Sequence, residues 1–315
     1  MIFTIDLNLQ KINIRLKLLI IFVLSFCSLG AMSQADSVWT AYKTQFKNNV
    51  AQINNLYCWS DANFFPGKYS FTFIHDFKTE FENHKPEIFP ILSDKAEDFY
   101  MFLESLRSTE KHNIVRYFSF HEKNFEAVLK GAGLPADLKY LAPALSAMNQ
   151  SYTDFDGKAG IWQLTHFQAV LNGLQVNQLV DERFNPWLSV HAFAATLQQN
   201  LNTFKTPELA VLGYLYGNAK VKNAMVFAGE NAALNQDLLY LPESANHFIA
   251  AFQAITVFLR VNQFKPTVDP HAKKIVPDTV RAVQQLHFNQ ITKVLGIPQK
   301  QLEFLNPQYR FLIVP

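Results

Sequence analysis

Among the titratable side chains between residues 154 and 182, four are candidates to move a proton. Asp154 and Asp156 lie two apart in a loop, His166 follows ten residues later, and Glu182 stands inside an Asp-Glu-Arg triplet. A carboxylic acid whose pKa is raised by an apolar site can protonate a leaving group. An imidazole with its ordinary pKa of about 6.5 can do the same. Each residue also has a plainer account. Asp154 and Asp156 suit a solvated loop closed by side-chain-to-backbone bonds. His166 suits a partly exposed helix histidine, and Asp181, Glu182 and Arg183 suit structural ion pairs that hold a loop. No His, Cys, Asp or Glu cluster has metal-ligand spacing, so neither a metal nor a cofactor is expected.

The elements that position these groups are legible nearby. The stretch from Leu134 to Ala169 reads LPADLKYLAPALSAMNQSYTDFDGKAGIWQLTHFQA. Pro135 suits a first helical turn, and Asp137 favours the positive end of the helix dipole. Leu138, Leu141, Ala142 and Leu145 recur at helical spacing. Pro143 interrupts that pattern, removes one backbone donor and predicts a kink. A loop containing Gly157 and Gly160 follows, and then Ile161-Trp162-Gln163 opens a second helix.

This stretch resembles the soluble lytic transglycosylases (SLT domain, glycoside hydrolase family 23-like), close to their membrane-bound D branch. The family pattern is roughly LPxELKYLxxxESAxNPxxxSxAGAxGLWQFMPxTA, and it aligns without gaps. Further matches are Val180-Asp181-Glu182-Arg183-Phe184-Asn185-Pro186 with Ser189, Ala192, Ala194 and Ala195, then Glu208 to Met225, then Leu241-Pro242-Glu243-Ser244. The resemblance covers about residues 113–262. It implies a mainly α, lysozyme-like (goose-type) domain that acts on peptidoglycan, cleaving the β-1,4 bond after N-acetylmuramic acid. In the family one glutamate protonates the glycosidic oxygen. It then serves as base while the muramic acid 6-hydroxyl closes a 1,6-anhydro ring. That glutamate begins an ESA triplet, which here reads Leu145-Ser146-Ala147. The family's cleft Tyr-Asn pair is Tyr214-Leu215.

Glycosidic cleavage needs a proton at the leaving oxygen, and leucine has none to give. A positioned acid or base is typically worth about 10²–10⁴-fold. The resemblance therefore implies no catalytic residue at the family position. It leaves Ser146, Gln163 and Tyr214 as cleft or glycan-binding positions, and Gly160, Trp162, Leu215 and Gly217 as structural ones. Three readings follow. The first is a degenerate transglycosylase that binds glycan strands. The second is an active enzyme with a relocated acid, Asp154 or Asp156. The third is an envelope scaffold with a protein partner, motivated by the aromatic content of residues 57–90.

The chain has 315 residues, of which 49% are hydrophobic and 17% charged, with 29 Phe. The charged share lies below the roughly 25% of an average domain. That composition suits a well-buried helical core and excludes a disordered chain. Residues 1–35 read as a signal peptide: Lys11, Arg15 and Lys17, the apolar run Leu18–Leu29, then small residues before Asp36. The run is short for a membrane span. An exported protein of the periplasm or cell envelope is expected. Removing the leader leaves equal numbers of basic and acidic residues, so no nucleic-acid footprint is expected. Cys27 leaves with the leader, and Cys58 then has no disulfide partner in the chain.

The expected organisation is a helical and irregular extension over 36–112, the transglycosylase-like domain over 113–262, and a linker over 263–277. A small α/β piece over 278–315 resembles part of a LysM module. Within these, Tyr69–Ile74 alternates like a short strand, and Ser93–Arg107 reads as a helix with Tyr100 and Glu104 outward. Ser108 or Thr109 is expected to cap the next helix. The C-terminal piece reads as a strand at Thr279–Val283, a helix, a turn and a helix, with no second clear strand.

Overall fold

A computed structural model describes residues 36–53, 71–229, 240–262 and 279–315. The expected leader, Cys58 and the expected linker lie outside them. The chain divides into two compact units, Met1–Tyr42 and Lys43–Pro315. In the first, residues 36–42 are helical, and Trp39 stacks on Tyr42 at 5.9 Å.

Helix α1 spans residues 36–53, and its part from Lys43 onward belongs to the second unit. Then come α2 (Phe77–His84), α3 (Ala96–Ser105), α4 (Ser108–Gly131), α5 (Leu141–Ser146) and α6 (His166–Leu171). After these follow α7 (Pro186–Phe204), α8 (Pro207–Tyr216), α9 (Asn218–Ala228) and α10 (Ser244–Val261). The C-terminal piece holds β1 (Leu286–His287), α11 (Phe288–Leu295), α12 (Gln299–Leu305) and β2 (Ile313–Val314). The fold is therefore mainly α with one small sheet.

Helix α10 is apolar on every side, and such a helix must be surrounded. Every residue from His247 to Leu259 is buried, and the helix packs on α2, α3 and α5. Its one buried amide is fully used. Gln253 donates to Phe89 O and Ile91 O, both at 2.7 Å, and accepts from Ser93 N at 2.9 Å. These bonds satisfy an irregular segment that has no ladder of its own, as buried backbone requires.

Helix starts follow local chemistry. Asn185 and Thr206 cap α7 and α8, each with proline in the first turn, where a missing N–H is harmless. At α4 the expected hydroxyl cap is replaced. Arg107 is the cap, and its N–H donates to Glu110 Oε2 at 2.8 Å.

Three expectations are corrected. Residues 71–74 form no strand. Thr72 N donates to Asn262 Oδ1 at 2.9 Å and Ile74 N to Tyr100 Oη at 2.8 Å, so side chains take the donors that a ladder would use. Tyr100 faces inward, fully buried, and donates to Glu104 Oε1 at 2.9 Å. Glu104 in turn meets Lys111 at 2.7 Å, so this pair is internal rather than outward. In the C-terminal piece the first strand lies at Leu286–His287, not 279–283, and a second strand exists. Leu286 pairs with Val314 and His287 with Ile313. Strands of two residues carry too little periodicity to be read from sequence.

Candidate functional site

The site is built from the end of α5, the hairpin and loop over 153–164, and the end of α8. Its first element resolves the problem of Pro143. Residues Ala136–Tyr140 wind as a 3₁₀ helix, and α winding starts at Leu141. Pro143 therefore sits in the first α turn, where N–H groups have no intrahelical partner. Its carbonyl still accepts from Ala147 N at 2.8 Å. The expected break appears as a change of helix type.

Leu145 lies in the last turn of α5 and is 9% exposed. The two residues that follow the end of α5, Ala147 and Met148, both have positive φ, at 52° and 69°. Gln163, across the site, is left-handed at φ 53°. Non-glycine residues hold this conformation at a cost of about 1–2 kcal/mol each. Such strain persists where the surroundings over-determine the backbone, which happens often at functional sites.

The loop is tied to these helices by side chains. Gln163 Nε2 donates to Leu145 O. Ser146 Oγ, fully buried, bonds Ala142 O and Ile161 O, both at 3.0 Å. Tyr214 Oη donates to Trp162 O, and Lys158 Nζ donates to Leu215 O at 3.3 Å. Burial pushes the Tyr214 phenol well above its ordinary value, so it stays a donor. Trp162 is fully buried, stacked on Phe193 at 4.0 Å and edge-on to Phe125 at 4.8 Å. Thus Leu145 and Ser146 of α5 and Tyr214 and Leu215 of α8 are bonded to the loop that carries Trp162 and Gln163. Ser146 and Tyr214 are spent bracing backbone there, and Gln163 is the half-buried polar group among them.

The proton-bearing candidates are held in turns or exposed. Asp154 closes the turn of the hairpin: its Oδ1 accepts Lys158 N at 2.7 Å, its N donates to Lys158 O at 3.0 Å, and Thr153 pairs with Ala159. Asp156 is exposed at the same turn, beside the fully exposed Phe155. His166 is exposed on the first residue of α6. Glu182 Oε2 accepts Gln175 N at 2.7 Å and holds a surface loop. Among the described residues no carboxylate hydrogen-bonds Leu145, Ser146, Gln163 or Tyr214. Nor does any group of three His, Cys, Asp or Glu side chains there form a place for a metal ion.

A structural pair does organise the loop. Arg183 grips the buried Asp181 through Nε to Oδ1 at 2.9 Å and Nη2 to Oδ2 at 2.8 Å. Its Nη1 reaches Gly157 O at 2.8 Å and Leu164 O at 3.3 Å. The Arg183 backbone also passes so close to Gly160 that a Cβ there would lie 1.9 Å from Arg183 O. Gly160 adopts φ +76°, a left-handed value as well. Gly160→Ala is therefore expected to cost roughly 3–5 kcal/mol, from conformational strain plus a backbone clash. Urea unfolding measures this, and a loss under about 1 kcal/mol would contradict the close approach. Gly217 (φ +90°) caps α8 and meets nothing that a Cβ would strike.

Comparison with known families now bears on this geometry. The transglycosylase SLT domain matches residues 123–236. The LysM-like domain of lytic transglycosylase MltD matches residues 276–315. This is a lytic-transglycosylase-like chain that resembles MltD. No curated protein matches it. The SLT match runs from within α4 to beyond α9, and the MltD LysM-like match covers the β1–α11–α12–β2 piece. Both matches support a peptidoglycan-associated, lytic-transglycosylase-like protein. No described helix is long and apolar enough to cross a membrane. The site above lies wholly within the SLT match, so the loop that Arg183 grips is that domain's own.

Proposed function

We propose that this MltD-like chain is exported, has lost transglycosylase catalysis, and binds peptidoglycan glycan strands in the periplasm or envelope. One observation carries the reading. The side chain in the last turn of α5, at the family's acid position, is the aliphatic Leu145, and the polar groups bonded around it are amides, hydroxyls and carbonyls. Among the described residues no carboxylate hydrogen-bonds these groups, and the loop is held by the bonds of Gln163, Ser146 and Tyr214. Asp154 supports the same reading, because its carboxylate serves a turn.

The test pairs two measurements on the full mature chain. Incubation with insoluble peptidoglycan is expected to pull the protein down, and the same incubation to release no 1,6-anhydro muropeptide. Asp154→Asn and Asp156→Asn are expected to leave the binding as it was. Absence of binding removes the reading. Anhydro product that vanishes in either asparagine variant replaces it with an enzyme using a relocated acid.

A further inference from the structure

The LysM-like piece is packed onto the transglycosylase domain through the Asp181 carboxylate. Asp181 is fully buried, and Arg310 Nη2 reaches its Oδ2 at 2.6 Å, the same oxygen that Arg183 holds at 2.8 Å. One carboxylate therefore joins two guanidinium groups from two parts of the chain. Burial alone pushes the Asp181 carboxyl up. The hydrogen bonds from Arg183 and Arg310 outweigh that and hold it below the usual carboxylate range.

The backbone repeats the connection. Val180 bridges Tyr309, Asp181 N donates to Gln308 O at 2.8 Å, and Arg310 N donates to Leu179 O at 2.8 Å. Asn185 Nδ2 donates to Gln308 Oε1 at 3.1 Å, and Gln150 Nε2 to Phe304 O at 3.2 Å. Phe304 is 1% exposed and sits against Tyr117 and Phe120 of α4. Directly after Arg310, Phe311 and Leu312 are both left-handed, at φ 56° and 59°. Two strained residues in a row persist only where the contacts around them fix the path of the chain.

The other side of the same carboxylate leads to the site. Asp181 aligns Arg183, Arg183 holds Gly157 O and Leu164 O, and that loop carries Gln163 to Leu145 O. We propose that Arg310 is a positioning residue for the cleft: the LysM-like piece acts as a fixed buttress of the 157–164 loop rather than as a freely tethered sugar-binding module. The chain of contacts is Arg310, Asp181, Arg183, loop, Gln163. Its glycan consequence rests on the proposed function, but the buttress does not. Removing Arg310 leaves the buried Asp181 with one guanidinium where it had two, which weakens what that carboxylate holds.

The test is hydrogen exchange on the full mature chain without glycan. Arg310 is 40% exposed at its side chain, so Arg310→Gln removes the charge at the surface end of the network. Exchange in residues 157–164 and 179–185 is expected to rise about tenfold, with α3 and α10 unchanged. Arg310→Lys is expected to restore much of the protection, since a point charge can still reach Asp181. Unchanged exchange at 157–164 overturns the proposal. So does a uniform rise across α3 and α10, which would report general destabilisation. Peptidoglycan pull-down is run alongside: the wild type failing to bind would remove the glycan reading, while the exchange result still decides the buttress.

Discussion

Leu145→Glu is expected to release 1,6-anhydro muropeptides from peptidoglycan at least about 10²-fold faster than the parent chain, the scale of a positioned acid–base group. The argument is one of supply. The loop that faces this position is in place, tied by Gln163 to Leu145 O and by Ser146 to Ile161 O. What the Leu145 side chain itself cannot supply is a proton. The site would also tune the new group, because Leu145 is 9% exposed and a carboxyl at low exposure has its pKa raised. A raised pKa keeps a glutamic acid protonated near neutral pH, as a general acid requires. The turnover should therefore fall as pH rises through that raised value. Leu145→Gln has nearly the same shape and no proton to donate, and it is expected to stay inactive. Equal turnover in the two variants would show that something other than the absent acid silences the domain. Burying the new carboxyl costs stability, about 1–3 kcal/mol, so the rate is to be measured well below the melting temperature.

The second large effect concerns His121, on α4. It is fully buried, and neither ring nitrogen has a hydrogen-bond partner. Its ring lies 4.7 Å from Tyr117, 4.8 Å from Trp187, 4.9 Å from Phe120 and 5.3 Å from Phe125. Burial pushes the imidazole down from 6.5 to about 3. The folded protein thus holds it neutral, while the unfolded chain protonates it below about 6.5. Below that value the unfolded state binds more protons, so stability falls as pH falls. The slope is roughly 1.4 kcal/mol per pH unit, continuing until the folded-state value near 3. Carboxylates held down by partners, such as Glu126 at about 2 from an ordinary 4.5, act only below that ordinary value. Between about pH 6.5 and 4.5 the slope among these shifted groups is therefore that of His121, roughly 3 kcal/mol in total. His121→Leu is expected to flatten the melting temperature across that window. It should hold or raise stability at pH 7, because an unpartnered buried polar ring is replaced by an apolar side chain. A slope that survives the substitution would place the acid sensitivity elsewhere.

Local pattern carried a good part of the architecture. The helical spacing of Leu138, Leu141, Ala142 and Leu145 and the helix over 93–107 arise from neighbours in sequence, so they could be read before any coordinates. The small α/β end was legible as two helices, but its strands were not. Leu286–His287 and Ile313–Val314 pair across more than twenty residues, and each is too short to show alternation. The inward turn of Tyr100 was hidden for a related reason: its partner, Ile74 N, comes from a distant irregular segment.

The candidate site divides the same way. Residue type alone determined that Leu145 has no proton to offer, since no fold can give one to an aliphatic side chain. Spacing alone placed Asp181 and Arg183 within reach of each other. What needed the tertiary structure was where each polar group is spent. Asp154 closes a turn, Ser146 and Tyr214 brace backbone, and Arg310 returns from the far end of the chain to share the Asp181 carboxylate. Hydrogen bonds reaching across fifteen to more than a hundred residues leave no local trace, because their partners are selected by packing and by the need to satisfy every buried polar group.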